Sequence, residues 1–187
     1  MSDAAEIFRT FFENALPEMF KSITAAFPVN GMQGTVFTLQ INLSGEGGAQ
    51  YGITIKDARE MTVTPGGLDE AMLTVELPAS IFINMVKNLV ASPMQEAYHA
   101  AKETKGTVIF EPLAKGGKAS YEIKLIMNKA EQPSIKLSAE ASTFLGMMNG
   151  EESPINAFMQ GRLKIDGDLP FGMELMNKFS AFMPSIT

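Results

Sequence analysis

An antiparallel α+β fold is what these 187 residues predict, and three observations carry that reading. Stretches of strictly alternating apolar and polar residues recur with turn-forming clusters between them, the period of a half-buried strand. Stretches with apolar residues three and four apart open the chain, interrupt the strands and close it, the period of a helix. A chain of this length buries roughly 70% of its unfolded surface, so one compact domain forms without covalent staples.

Residues 3–27 form the first expected helix. Asp3 and Glu6 stand at capping-box spacing, and Ile7, Phe8, Phe11, Phe12, Ala15, Leu16, Met19, Phe20 and Ile23 follow the helical period. Pro17 kinks or restarts it. At 100° per residue its apolar positions cover an arc of about 200°, against the roughly 100° that a surface helix needs, so this helix touches something on two sides. After Asn30-Gly31 the period drops to two. Phe37, Leu39, Ile41 and Leu43 alternate with polar residues, the glycine-rich turn 44–48 leads to Tyr51, Ile53 and Ile55, and the link 57–60 leads to Met61 and Val63: an antiparallel meander. Pro65-Gly66-Gly67 breaks the pattern before a fourth strand with Ala71, Leu73, Val75 and Leu77 on one side.

Pro78 opens a helix carrying Ile81, Phe82, Met85, Val86, Leu89 and Val90. Ser92-Pro93 supplies an N-cap and a first-turn proline for a short helix through Ala97, Tyr98 and Ala101. Strands follow at 107–110, 121–127 and 135–137, the last two separated by the polar turn 128–133. From Ile135 the order strand, helix, helix, strand repeats what began at Leu73. Ala79-Ser80-Ile81-Phe82 lies over Ala141-Ser142-Thr143-Phe144, Ser92-Pro93 lies over Ser153-Pro154, and Leu163-Lys164-Ile165 closes the second cassette. Internal duplication or chance recurrence of a common order both produce that. The last helix follows Gly167-Asp168, with Phe171, Leu175, Phe179 and Phe182 in one stripe and Met173, Met176 and Met183 in a neighbouring one.

Composition excludes several function classes. The chain carries 15 Lys+Arg against 21 Asp+Glu, a formal charge of −6, with no basic cluster, so nucleic acid is not an expected partner and membrane contact is at most transient. The absence of cysteine removes disulfides, thiolate metal sites and cysteine nucleophiles, and makes the cytoplasm the expected compartment. No apolar run approaches ~18 residues, and the opening residues lack the basic region of a signal peptide.

Catalytic and metal-binding signals are equally poor. His99 has no cysteine to share a metal with and sits on a short helix. Asp166-Gly167-Asp168 lacks the remaining ligands of a calcium loop and reads as a strand-to-helix turn capped by Asp168. The glycine groups at 45–48, 66–67 and 116–117 match no phosphate loop and read as hairpin turns. No catalytic residue, metal ligand or cofactor is implied. What stands out is methionine, which equals leucine at 14 residues each. Methionine is flexible and polarizable and suits surfaces that adapt to varied apolar partners. The Met- and Phe-rich helices bury against a second layer, another subunit or an apolar ligand.

The stretch from Ile135-Lys136-Leu137-Ser138-Ala139-Glu140 through Phe144-Leu145-Gly146-Met147-Met148-Asn149-Gly150 leads into Ser153-Pro154-Ile155-Asn156-Ala157-Phe158-Met159-Gln160-Gly161 and Arg162-Leu163-Lys164-Ile165-Asp166-Gly167-Asp168. With the closing Met-rich helix it resembles the sterol carrier protein type-two family over about a quarter of the chain. The order helix, meander, strand at 3–77 is similar to that family more loosely.

The resemblance implies an antiparallel sheet of five or more strands with helices over one face, enclosing an apolar tunnel for fatty acids, acyl-CoA or sterol-like lipids, without catalysis. By position it sets Phe144, Leu145, Met148, Phe158, Met159, Leu163, Ile165, Leu175, Met176 and Phe179 around that tunnel. It also implies one domain over 1–187, enlarged by an inserted or partly duplicated segment near 78–127. The C-terminal Pro184-Ser185-Ile186-Thr187 is not the Ser-Lys-Leu peroxisomal address of some relatives.

The expected function is therefore lipid binding or transfer. The alternative is an interaction module, such as a homodimer, whose helices pack on another subunit or an enzyme. A buried carboxylate near Asp166 or Glu174 would instead point to a small-molecule enzyme.

Overall fold

A computed structural model describes residues 3–86, 94–114, 116–148 and 150–180. The chain opens with α1 (Asp3–Thr10), a π-turn at Phe11–Ala15 and α2 (Leu16–Ala26). Strands β1 (Val36–Ser44), β2 (Ala49–Lys56), β3 (Glu60–Pro65) and β4 (Leu73–Pro78) follow, then α3 (Ala79–Val86) and α4 (Met94–Glu103). Next come β5 (Gly106–Leu113), β6 (Ile123–Met127) and β7 (Ser134–Glu140), then α5 (Ala141–Met148), α6 (Pro154–Met159), β8 (Leu163–Gly167) and α7 (Leu169–Ser180). Ser92-Pro93 and the residues beyond Ser180 lie outside the described residues.

All eight strands form one sheet in the order β3-β2-β1-β4-β6-β5-β7-β8. The α+β class is as expected and the sheet is mostly antiparallel, but β1 pairs with β4 and β5 with β7 in parallel. The first of these pairings changes the reading of Gly66-Gly67. They do not turn a hairpin; they begin a crossover that carries the chain from β3 over the polar face of β2 and β1 to the far side of β1. The Gln40 side-chain oxygen accepts from the Leu68 backbone N–H at 2.7 Å, and Thr38 Oγ1 accepts from the Met72 N–H at 2.9 Å. Gly67, at φ +98°, leaves room for the Gln40 amide, and Gly52 leaves room for the Leu68 side chain.

The registers align the apolar residues of every strand. Ile41 stands opposite Tyr51 and Val75, Val75 opposite Leu125, Leu125 opposite Val108, Val108 opposite Ile135, and Leu137 opposite Ile165. One face is therefore apolar from edge to edge, since side chains two apart share a face. The helices cover this side. Phe8 and Phe12 pack with Ile41, Leu43, Tyr51, Ile53, Leu77 and Ala79, while Phe171 and Leu175 pack with Val108, Met127 and Ile135.

The first helix departs from a uniform 100° per residue. The wider π-turn lags the rotation, bringing Phe20 and Thr24 towards the line of Phe8 and Phe12; these four are buried, whereas Ile7, Met19 and Ile23 are exposed. The expectation of contacts on two sides came from assuming one regular helix.

Gly106 begins β5 at φ +139°, and a Cβ there would lie 2.5 Å from the Phe171 ring and 2.6 Å from the Pro133 carbonyl oxygen. We expect Gly106→Ala to cost about 2–3 kcal/mol through backbone strain and overpacking. The urea midpoint should fall accordingly; an unchanged midpoint would mean that α7 does not press on the start of β5.

Candidate functional site

The C-terminal half places three helices on the apolar face. β7 runs directly into α5, so Ala139 and Thr143, both buried, anchor strand and helix at one corner. Phe144 then lies edge-on to Phe110, ring centroids 5.9 Å apart. Ser153 caps α6 by accepting from the Asn156 N–H, and Pro154 occupies the first turn, as its sequence suggests. Ala157, fully buried, is the residue α6 turns inward, against Leu163 of β8. At the corner between α5 and α6 the N–H groups of Glu151 and Glu152 both donate to the Gly146 carbonyl, and Arg162 pairs with Glu152. α7 starts where the Asp168 carboxylate accepts from the Phe171 N–H at 2.8 Å.

Two apolar clusters result, and they join. Val108, Met127, Ile135, Phe171 and Leu175 form one, Ala139, Met147, Ala157 and Leu163 the other, and Leu137 and Ile165 pack against both. Of the residues singled out in the sequence, Leu163 and Leu175 are buried here, with Phe144 and Ile165 half-buried beside them. Leu145, Phe158 and Met159 are 58%, 46% and 77% exposed, on the outer side of α5 and α6. The side chains of Met148, Met176 and Phe179 lie outside the described residues.

Of the strand residues in this region the sequence singled out only Leu163 and Ile165, both of β8. Leu73 and Val75 of β4, Leu125 of β6, Phe110 of β5 and Leu137 of β7 also face the helices and are half-buried. Their alternation was visible; the sheet order that lines them up was not.

Charge is sorted to the other face. Lys124 lies 3.8 Å from Glu76, Lys136 lies 3.1 Å from Glu111 and also pairs with Glu122, and the Ser138 hydroxyl donates to Glu111 at 2.8 Å. The hydroxyl of Ser138 and then the ammonium of Lys136 hold the Glu111 carboxyl below its ordinary pKa, and Glu122 and Glu111 together raise that of Lys136. Asp166 and Glu174 are exposed, and Glu174 pairs with Lys178 at 2.8 Å. His99 is exposed too, and among the described residues no group of three His, Cys, Asp or Glu side chains is arranged to hold a metal.

Two open depressions accompany these clusters. One of about 210 Å³ is polar, lined by Glu151, Glu152, Ser153, Asn156, Gln160 and Arg162. The other, of about 490 Å³, lies on the N-terminal helices and is lined by Glu6, Ile7, Thr10, Phe11 and Ala15.

Residues 95–180 match the SCP-2 sterol transfer family. That agrees with the resemblance carried by 135–168. Among solved structures, the chain is 12% identical to the sterol carrier protein domain 2 of Helicoverpa armigera, covering 95% of both chains with a TM-score of 0.24. It is 11% identical to sterol carrier protein 2 from Yarrowia lipolytica, covering 99% of this chain and 98% of that one at a TM-score of 0.23. The UbiJ-SCP2 ubiquinone synthesis protein is 11% identical, with 91% and 95% covered and a TM-score of 0.25. None of the curated proteins matches.

Within the SCP-2 segment the Glu111 cluster gives a pH signature. A carboxylate whose pKa is lowered on folding stabilises the protein above its ordinary range, and that contribution disappears as pH falls through the lowered value. Glu111→Gln should therefore melt below wild type at neutral pH and converge on it in acid; parallel melting curves at every pH would remove the Ser138–Glu111–Lys136 cluster from the stability balance.

Proposed function

We propose that the protein is a non-catalytic carrier of fatty acids, acyl-CoA or sterol-like lipids, which lodge between the sheet and the helices α5 to α7. The observation that carries this reading is the half-buried apolar band Leu125, Phe110, Leu137 and Ile165, which packs against the buried clusters of α5 to α7 and lies within the segment 95–180 that matches a sterol transfer family. Leu163, Ile165, Leu175 and Phe144 contribute the wall, and Met148, Met176 and Phe179 are assigned to it by their sequence positions. Leu145, Phe158 and Met159 are assigned to the outer cover.

Burial of apolar area supplies the affinity at roughly 25 cal/mol per Å². A ligand that loses about 400 Å² gains ~10 kcal/mol, and with an association cost of about 4 kcal/mol this leaves binding in the tens of micromolar. Among the described residues the apolar clusters that form the band include no charged side chain, so discrimination follows shape and broad specificity is expected. The exposed positions of Asp166 and Glu174 support a role without chemistry. Among the described residues no helix is long and apolar enough to cross a membrane, and with a chain free of cysteine the cytoplasm is the proposed setting.

One observation favours a second reading. Leu145, Ile155, Phe158, Met159, Leu169 and Met173 are all 46% or more exposed on α5, α6 and α7, more apolar surface than a monomer usually leaves on adjoining elements. These outer faces fit a partner subunit, and light scattering across a concentration series separates the readings. A stable dimer that binds no lipid favours the interaction module.

For the carrier, natively purified protein should release lipid on organic extraction, seen by mass spectrometry, and a fluorescent C18 fatty acid should be displaced by unlabelled lipid. Ile165→Trp, which fills the band, should weaken that probe at least 10-fold while melting within a few degrees of wild type. No extracted lipid together with no probe binding would overturn the reading.

A further inference from the structure

α7 turns one face to the sheet, and a cation stands on that face. Phe171, Leu175 and Lys178 follow one another four and three residues apart, so their side chains share one side of the helix. The first two are buried, Phe171 against Gly106 at the start of β5 and Leu175 in the cluster with Val108, Met127 and Ile135. Lys178 continues their line and is the one basic residue between Leu169 and Ser180.

The Lys178 ammonium reaches back to the sheet. It donates to the Thr104 hydroxyl at 3.3 Å, and Thr104 is 3% exposed. Asn128 fixes that residue in turn, its side-chain amide donating to the Thr104 carbonyl at 2.6 Å and to the Ala101 carbonyl at 2.7 Å. Thr104 stands two residues before Gly106, which lies opposite Met127 in the sheet. A positive charge is thereby held where the apolar cluster of α7 ends, on a side chain that is 30% exposed.

Lys178 and Arg162 differ in how firmly they are neutralised. Arg162 is engaged through all three guanidinium nitrogens, by the Glu152 carboxylate and by Gln160. Lys178 has the Glu174 carboxylate at 2.8 Å, one helical turn away, and that side chain is 56% exposed. An ion pair on an exposed helix surface is weak and gives way to another carboxylate. We propose that Lys178 is the head-group ligand of the site: it receives the carboxylate of a fatty acid whose chain lies in the apolar band, in exchange for Glu174. Thr104 is the positioning residue that holds the ammonium at the end of the cluster. This rests on the carrier function proposed above. The chain is then selected by shape and the head group by charge, so a fatty acid outcompetes a neutral lipid of the same length.

Competition on the full chain tests the head group, with a fluorescent C18 alcohol as neutral reporter and oleate or oleyl alcohol as competitor. Oleate should displace the reporter at a concentration about 5- to 10-fold below oleyl alcohol. Lys178→Met, which keeps the stem and removes the charge, should bring the two within about 2-fold. Thr104→Val should lose part of the preference, and Glu174→Gln, which frees the ammonium, should widen it. Both competitors displace the same reporter, so their ratio does not depend on how tightly each variant holds it. A wild-type chain that does not discriminate, or a preference that survives Lys178→Met, overturns the head-group site and leaves the carrier function standing. A reporter that does not bind the wild-type chain, with oleate not bound either, overturns both.

Discussion

Side-chain parity across the sheet is the constraint on which the rest of the structure depends. Every pairing from β3 to β8 keeps apolar residues opposite apolar residues, and a slip of one residue in any register would send that strand's apolar set to the wrong face. The two parallel pairings are the demanding ones, because each requires the chain to pass around a strand already in place. The molecule makes those passages where glycine removes a side chain: Gly52 and Gly67 beneath the crossover to β4, and Gly106 beside the passage to β7. Gln40 and Thr38 then hold the first crossover by its backbone: Gln40 accepts the Leu68 N–H, and Thr38 accepts the Met72 N–H through both its hydroxyl and its backbone carbonyl.

Most strands and helices were legible in the sequence because each is encoded by its own short period. The parallel pairings were not, since periodicity says which residues share a face and nothing about which strands are neighbours. Gln40 illustrates the difference. In the alternation of β1 it is one more solvent-facing polar residue, yet it is buried and receives the Leu68 N–H. The candidate site was legible in part for a similar reason. The family resemblance set Phe158 and Met159 around the tunnel by position alone, and which side of α6 meets the sheet was not legible: the helix lies so close to β8 that its contact residue is Ala157. Close approach selects small side chains, and a hydrophobic scale ranks them last.

Methionine divides between two physical roles. Met32, Met127 and Met147 are buried, where an unbranched side chain fills the irregular space between helix and strand. Met19, Met159 and Met173 are more than half exposed, on the outer faces of α2, α6 and α7. The surplus over an ordinary composition is therefore not one patch. A core that uses flexible side chains adapts its shape to a guest at low strain, because rotamers rather than backbone atoms move.

Charge is separated between the faces. Glu76, Glu111 and Glu122 pair with Lys124 and Lys136 on the other side of the sheet, three carboxylates against two ammonium groups, so most of their field is cancelled locally and the remainder is screened by salt. On the helical side the Glu152–Arg162 pair sits at the corner between α5 and α6, outside the apolar clusters. Under the proposed carrier function a lipid in the band is held by the area it removes from water, and Arg162 does not contribute to the clusters that hold sheet and helices together.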